Sequence, residues 1–161
     1  MLRLLLVPAL LAALCSCMTD TKSLTFATIG QKGWSHTDTL SYVIPPLKGM
    51  GDCGVALLLR TEGYGYENIA LDIDIRQDST QLYHQQRHYW LNEEVSANGI
   101  GRRCDYTLPV GNLTLCDTLP TTITVVHNME QPLLKGIREV GVRTGRYVHE
   151  SDTVIWQVDW R

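Results

Sequence analysis

The residues best placed to do chemistry stand at the start of the chain. Arg3 and the apolar stretch Leu4 to Leu14, broken by Pro8, lead into Cys15, Ser16 and Cys17. A transmembrane helix needs about 20 apolar residues, so this run is too short to span a bilayer and has the form of an export signal. Cleavage before a lipid-modified cysteine requires a branched apolar residue three positions upstream and a small residue directly before it. Leu14 and Ser16 meet both requirements for Cys17, whereas Ala12 and Leu14 fail them for Cys15. The pattern predicts a signal peptide over 1–16, lipidation of Cys17 and a polar tether over 17–23. The alternative is a soluble exported protein with two incidental cysteines. Each buried CH₂ contributes about 0.8 kcal/mol, so several acyl chains on Cys17 make a firm membrane anchor.

Removing 16 residues from 161 leaves 145, enough for one domain with a real core. The mature chain keeps Cys53, Cys104 and Cys116 in an oxidising compartment. A Cys104–Cys116 bridge across a hairpin and three buried free thiols are both compatible with the spacing, which has no CxxC element for zinc. His84 and His88 in "HQQRH" lack the glutamate of a metalloprotease helix. On a strand they would lie about 13 Å apart, too far to share one ion. Asp72 and Asp74 share one face of an alternating segment, and calcium would need six to eight oxygens that nothing nearby completes. These residues read as solvated strand surface, and neither a metal nor another cofactor is expected.

There is no GxSxG, no cysteine that the sequence sets beside a histidine, and no strand-then-helix context for the glycines of "NGIGRR". An enzyme is not expected. A formal charge of -3, spread along the chain, lacks the basic footprint of nucleic-acid binding. Trp34, Trp156 and Trp160 could form a platform for sugar rings, although packing is the commoner fate of tryptophan.

The elements that must position these groups are strands. In "NIALDIDIR", Ile69, Leu71, Ile73 and Ile75 share one face while Ala70, Asp72, Asp74 and Arg76 share the other. Similar alternation marks 24–29, 39–44, 55–60, 80–90, 104–110, 121–128, 137–143 and the C-terminal "TVIWQVDWR". Turn residues separate them: Pro45-Pro46, "GMGDCG", "EGYGYEN", "ANGIG" and "PVGN". The only helical candidate is one turn around "EQPLLKG". About eight or nine strands punctuated by Gly and Pro predict an all-β, antiparallel, jelly-roll-like β-sandwich over 24–161.

Two longer stretches go beyond periodicity, "RTEGYGYENIALDI" and "NMEQPLLKGIREVGVR", with "WSHTDTLSYVIP" upstream. Together with the lipobox they resemble the GldH family, gliding-motility lipoproteins of the Bacteroidota, over roughly 34–143. The residues that match are Trp34, Asp38, Arg60, Tyr64, Tyr66, Asn68, Met129, Leu134, Gly136, Gly141 and Arg143, and they read as turn, packing or partner-binding positions. In this reading Arg60 binds carbonyls or a carboxylate of the adjoining turn, and Asn68 takes that turn's left-handed position. The resemblance implies an envelope lipoprotein that contributes to the gliding and type IX secretion apparatus. Without a convergent catalytic set it reads as a noncatalytic binder of other envelope proteins, and the lack of an aspartate directly after Cys17, with only Asp20 and Lys22 following, points to the outer membrane facing the periplasm. The alternative is a glycan-binding lipoprotein of the same architecture. Asp-Ser/Thr motifs at Thr39, Ser79, Thr118 and Thr153 also resemble an O-glycosylation acceptor of exported proteins in that phylum.

Overall fold

A computed structural model describes residues 21–49, 51–91 and 103–145. Cys17, Thr153, Trp156, Trp160, the predicted C-terminal strand and the "ANGIG" turn lie outside the described residues. The described residues form ten strands: β1 (Thr21–Thr28), β2 (Trp34–Ser35), β3 (Leu40–Ile44), β4 (Asp52–Glu62), β5 (Asn68–Gln77), β6 (Thr80–Trp90), β7 (Arg103–Thr114), β8 (Thr121–His127), β9 (Leu133–Leu134) and β10 (Ile137–Gly145). The count exceeds the eight or nine expected because β2 and β9 are two-residue strands, too short to show alternation. β1 begins at Thr21, inside the segment read as a tether.

Two four-stranded antiparallel sheets, β1-β10-β4-β7 and β3-β8-β5-β6, face one another, and β2-β9 forms a small third sheet. Most connections cross from one sheet to the other. This interleaved order is the jelly roll, in which two Greek keys share one barrel-like core. Alternation explains the layering. Ile69, Leu71, Ile73 and Ile75 of β5 are buried, as are Val55, Leu57 and Leu59 of β4 and Ile123 and Val125 of β8.

Two sequence signals misled for a physical reason. "PVGN" is not a turn but lies inside β7, at a bulge where Val55 pairs Gly111 and Ala56 pairs Pro109. Proline is tolerated there because β7 is an edge strand among the described residues and the bulge already breaks the ladder. The bulge carbonyls are taken up from the facing sheet: Tyr89 Oη donates to Pro109 O at 3.0 Å and Arg87 Nη2 to Val110 O at 2.9 Å. "EQPLLKG" is not a helical turn. It is a bend followed by β9, whose Leu134 is wholly buried.

The sandwich has two poles. The upper pole carries the connections 29–39, 63–67 and 128–136. The lower pole carries 45–51, the β5–β6 turn and 115–120, and β1 begins there. At the lower pole the buried Gln77 side chain donates to the carbonyls of Cys116 and Leu119 and accepts from the Cys116 amide at 2.8 Å. Cys104 and Cys116 sit at opposite poles, separated by β7, a span of roughly 30 Å or more at 3.3 Å per residue. A bridge needs Cα atoms within about 7 Å. Cys53, Cys104 and Cys116 are accordingly free thiols.

Candidate functional site

Residues scattered along the sequence gather at the upper pole. Trp34 is 1% exposed; its indole N–H donates to Asp38 O at 2.9 Å, and its ring stands edge-on to His127 at 5.3 Å. It caps the core and is not a sugar platform. Asp38 contributes its backbone, accepting the indole and donating its own amide to Ser35 O at 2.9 Å. His127 Nε2 donates to Trp34 O at 3.1 Å, whereas Nδ1 is buried with no partner among the described residues.

Burial holds the His127 imidazole below its ordinary value, the Trp34 carbonyl and Asp38 opposing and His36 reinforcing the shift. The unfolded chain then takes up a proton near pH 6.5, before the native state does. Stability is full above that value and falls as pH drops toward the depressed native value, by at most about 1.4 kcal/mol per pH unit. Urea unfolding at pH 7.5 and pH 5.5 should show this loss, and His127→Gln should flatten the part due to this group. An identical slope in the variant would assign the effect elsewhere.

The β4–β5 turn is closed by Tyr64, whose hydroxyl donates to Asn68 O at 3.1 Å and whose ring meets Tyr66 edge-on at 5.4 Å. Burial raises the Tyr64 hydroxyl well above its usual range. Asn68 does not take the left-handed position as expected. It starts β5, and Gly63 with φ +69° supplies that geometry. Met129 Sδ accepts the Ala70 amide at 3.2 Å, beside the Asn128 N–H to Ala70 O bond, and so continues the β5–β8 pairing beyond its last ladder residue. Gly136, with φ +86°, lies against the Gly63–Tyr64 backbone, and its carbonyl accepts the Glu62 amide at 2.7 Å.

Arg60 corrects the second expectation about that turn. It points onto the outer face of β1-β10-β4-β7, not into the turn. Its guanidinium bonds Glu139 at 2.6 Å, lies 3.8 Å from Asp105 and sits 4.2 Å above the Phe26 ring. Phe26 pairs with Gly141, which has room for the ring because it lacks a Cβ: one built there would lie 2.6 Å from Phe26 Cδ1. Arg143 is two residues along the same face, opposite Leu24 and Ala56. Arg60→Ala should lower stability by under about 1 kcal/mol, because the side chain is nearly half exposed and solvent screens its pairs. An unchanged melting temperature would show that the stack and pairs contribute nothing.

Around Arg60 lies a cleft of about 730 Å³ lined by Thr28, Ile29, Gln31, Arg60, Thr61, Glu62, Arg103, Asp105, Arg138 and Glu139. Five of its six charged groups, Glu62, Arg103, Asp105, Arg138 and Glu139, belong to no motif of the sequence. The signal was present as Arg-x-Glu at 60–62 and Arg-x-Asp at 103–105, one face of each strand. A bulge between Ile137 and Glu139 brings the consecutive Arg138 and Glu139 to the same face.

On the opposite sheet Asp72 and Asp74 form a surface network. His84 Nε2 lies 3.1 Å from Asp72, and Arg76, Gln81 and His84 surround Asp74. Burial would raise the Asp74 carboxyl, but the bonds from Arg76 and Gln81 outweigh it and hold it below the usual range. His88 lies four residues along β6, opposite Ala70. No group of three potential ligands suited to a metal ion occurs among the described residues. Thr39, Ser79 and Thr118 are all exposed, in a loop or turn.

The GldH lipoprotein family model matches residues 24–144. No curated protein matches the chain. Among solved structures it is similar to a family GH115 4-O-methyl-α-glucuronidase, BtGH115A, with specificity for decorated arabinogalactans. Identity is 12% and the TM-score 0.48, over 83% of this chain and 18% of that one. It is also similar to dimeric latent PorU from Porphyromonas gingivalis, with 11% identity and a TM-score of 0.33, over 80% of this chain and 13% of that one. The chain thus spans less than a fifth of the length of either structure.

Proposed function

The chain belongs to the GldH lipoprotein family, and from that premise we propose that it serves gliding motility and type IX secretion as a noncatalytic, lipid-anchored component that binds other envelope proteins. The family match carries the reading, and the placement of the matching residues supports it. Trp34, Asp38, Tyr64, Tyr66, Asn68, Met129, Leu134 and Gly136 all lie at or beside the upper pole. The predicted anchor, Cys17, lies four residues before Thr21 at the lower pole, within about 14 Å even if fully extended. Eleven-residue strands make the sandwich about 35 Å tall. An anchored protein therefore holds its lower pole near the membrane and offers its upper pole to partners, here in the outer membrane facing the periplasm.

Site-specific photocrosslinking in the native host tests this. A crosslinker at Tyr66 should capture envelope proteins, whereas one at Thr118 should not. Equal capture from both poles, or none from Tyr66, would refute the orientation and the binding role. Cys17→Ser should release the protein from membranes. The exposed Thr39, Ser79 and Thr118, with Thr153, are proposed O-glycosylation acceptors; an intact mass without hexose-type additions on native protein would rule that out.

A further inference from the structure

We propose that the charged cleft on the outer face of β1-β10-β4-β7 binds a neutral, polyhydroxylated ligand, a short uncharged oligosaccharide. The proposal does not rest on the partner-binding reading, because it is argued from the charges and register of a sheet face; the cleft's upper end, at Ile29 and Gln31, adjoins the pole.

The charges of the cleft form a checkerboard. Strand register places Glu139, Arg60 and Asp105 side by side across β10, β4 and β7. One step toward the pole, Glu62 pairs Arg103, and Arg138 completes a second row of opposite order. Glu62 lies 2.9 Å from Arg138 and 3.6 Å from Arg103. The two rows read minus-plus-minus and plus-minus-plus, and the six formal charges cancel.

Neutrality decides the ligand class. An anion entering the cleft meets carboxylates as often as guanidiniums, and a cation fares no better, so neither gains net Coulomb attraction. A hydroxyl group suits the alternation because it accepts from an arginine and donates to the carboxylate one strand away. Among the described residues the three arginines use one or two nitrogens each on neighbouring carboxylates, which leaves donors for a ligand.

Arg60 is already fixed between Glu139 and the Phe26 face, so little side-chain freedom is lost on binding. The volume lies within the range of about 300–1,000 Å³ typical of small-ligand clefts. A peptide cannot add as a strand over the floor of the cleft, because β4 and β10 are each paired on both sides; among the described residues the open edges are those of β1 and β7, at its rims.

The test is calorimetric titration of the purified full chain with neutral tetrasaccharides of glucose, mannose, xylose and N-acetylglucosamine, at low salt and at about 0.5 M salt. Saturable binding of at least one, nearly independent of salt, is expected. Arg103→Ala and Asp105→Ala, both at highly exposed positions, should each weaken it about tenfold or more while leaving the melting temperature unchanged. No binding at about 10 mM sugar would overturn the proposal. So would binding that neither variant weakens, or selective salt-sensitive binding of a mixed-charge peptide to the cleft. Failure here leaves the crosslinking prediction at Tyr66 standing, and the reverse also holds.

Discussion

Replacing Trp34 with alanine should remove about 3–5 kcal/mol of folding stability, in the upper range for loss of a buried aromatic side chain. Domains of this size are stable by roughly 5–15 kcal/mol, so the variant would sit near its unfolding threshold. Three losses coincide. The ring leaves a cavity at the upper pole, the Asp38 carbonyl loses the indole donor, and His127 loses its edge-on neighbour. Urea unfolding with an unchanged m-value measures the effect. Trp34→Phe separates the contributions, since it keeps much of the volume while orphaning the Asp38 carbonyl, and should cost about 1–3 kcal/mol. A loss below about 1 kcal/mol for the alanine variant would mean that the 29–39 connection is not an integral cap of the core.

Gly136→Ala should be nearly as damaging, at about 3 kcal/mol or more, although it adds one methyl group. At φ +86° an L-residue is strained by about 1–2 kcal/mol. The new Cβ would also lie 2.6 Å from Tyr64 N and Cα and 2.8 Å from Gly63 C. These are backbone atoms of the β4–β5 turn, so relief requires moving the turn, and the Glu62 to Gly136 bond with it. Gly49→Ala is the control: its φ is +73° but nothing lies within 4 Å, so only the backbone strain of about 1–2 kcal/mol applies. Equal losses at the two sites would remove close packing of the turns as the reason for glycine at 136.

The charged cleft and the upper pole differ in how far they could be read ahead of the structure. At the pole, Trp34, Tyr64 and Gly136 were identifiable through resemblance, but their roles were not. Nearness in sequence to Tyr64 and Asn68 points Arg60 at the adjoining turn. A strand instead carries its side chain onto the sheet face, where the neighbours are Phe26, Asp105 and Glu139. Asn68 tolerates the left-handed position, but Gly63 takes it without steric cost. Glu62, Arg103, Asp105, Arg138 and Glu139 looked like ordinary solvated charges because each strand shows only one or two of them.

By itself the sequence determined the sandwich. Period-2 burial is a local property of each strand, and "NIALDIDIR" declares its inner and outer faces without reference to any neighbour. It also located the turns at Pro45-Pro46 and "EGYGYEN", but not at "PVGN", which the β7 bulge absorbs, nor through the end of "GMGDCG", whose Asp52, Cys53 and Gly54 already belong to β4. What only the tertiary structure decided was which strands lie side by side. The jelly-roll order sets β4 between β10 and β7, and register then aligns Arg60 with Glu139 on one side and Asp105 on the other. Those residues are 79 and 45 positions from Arg60 in sequence. No local pattern constrains such pairs, because cross-strand neighbours are fixed by topology and by bulges that shift register one residue at a time.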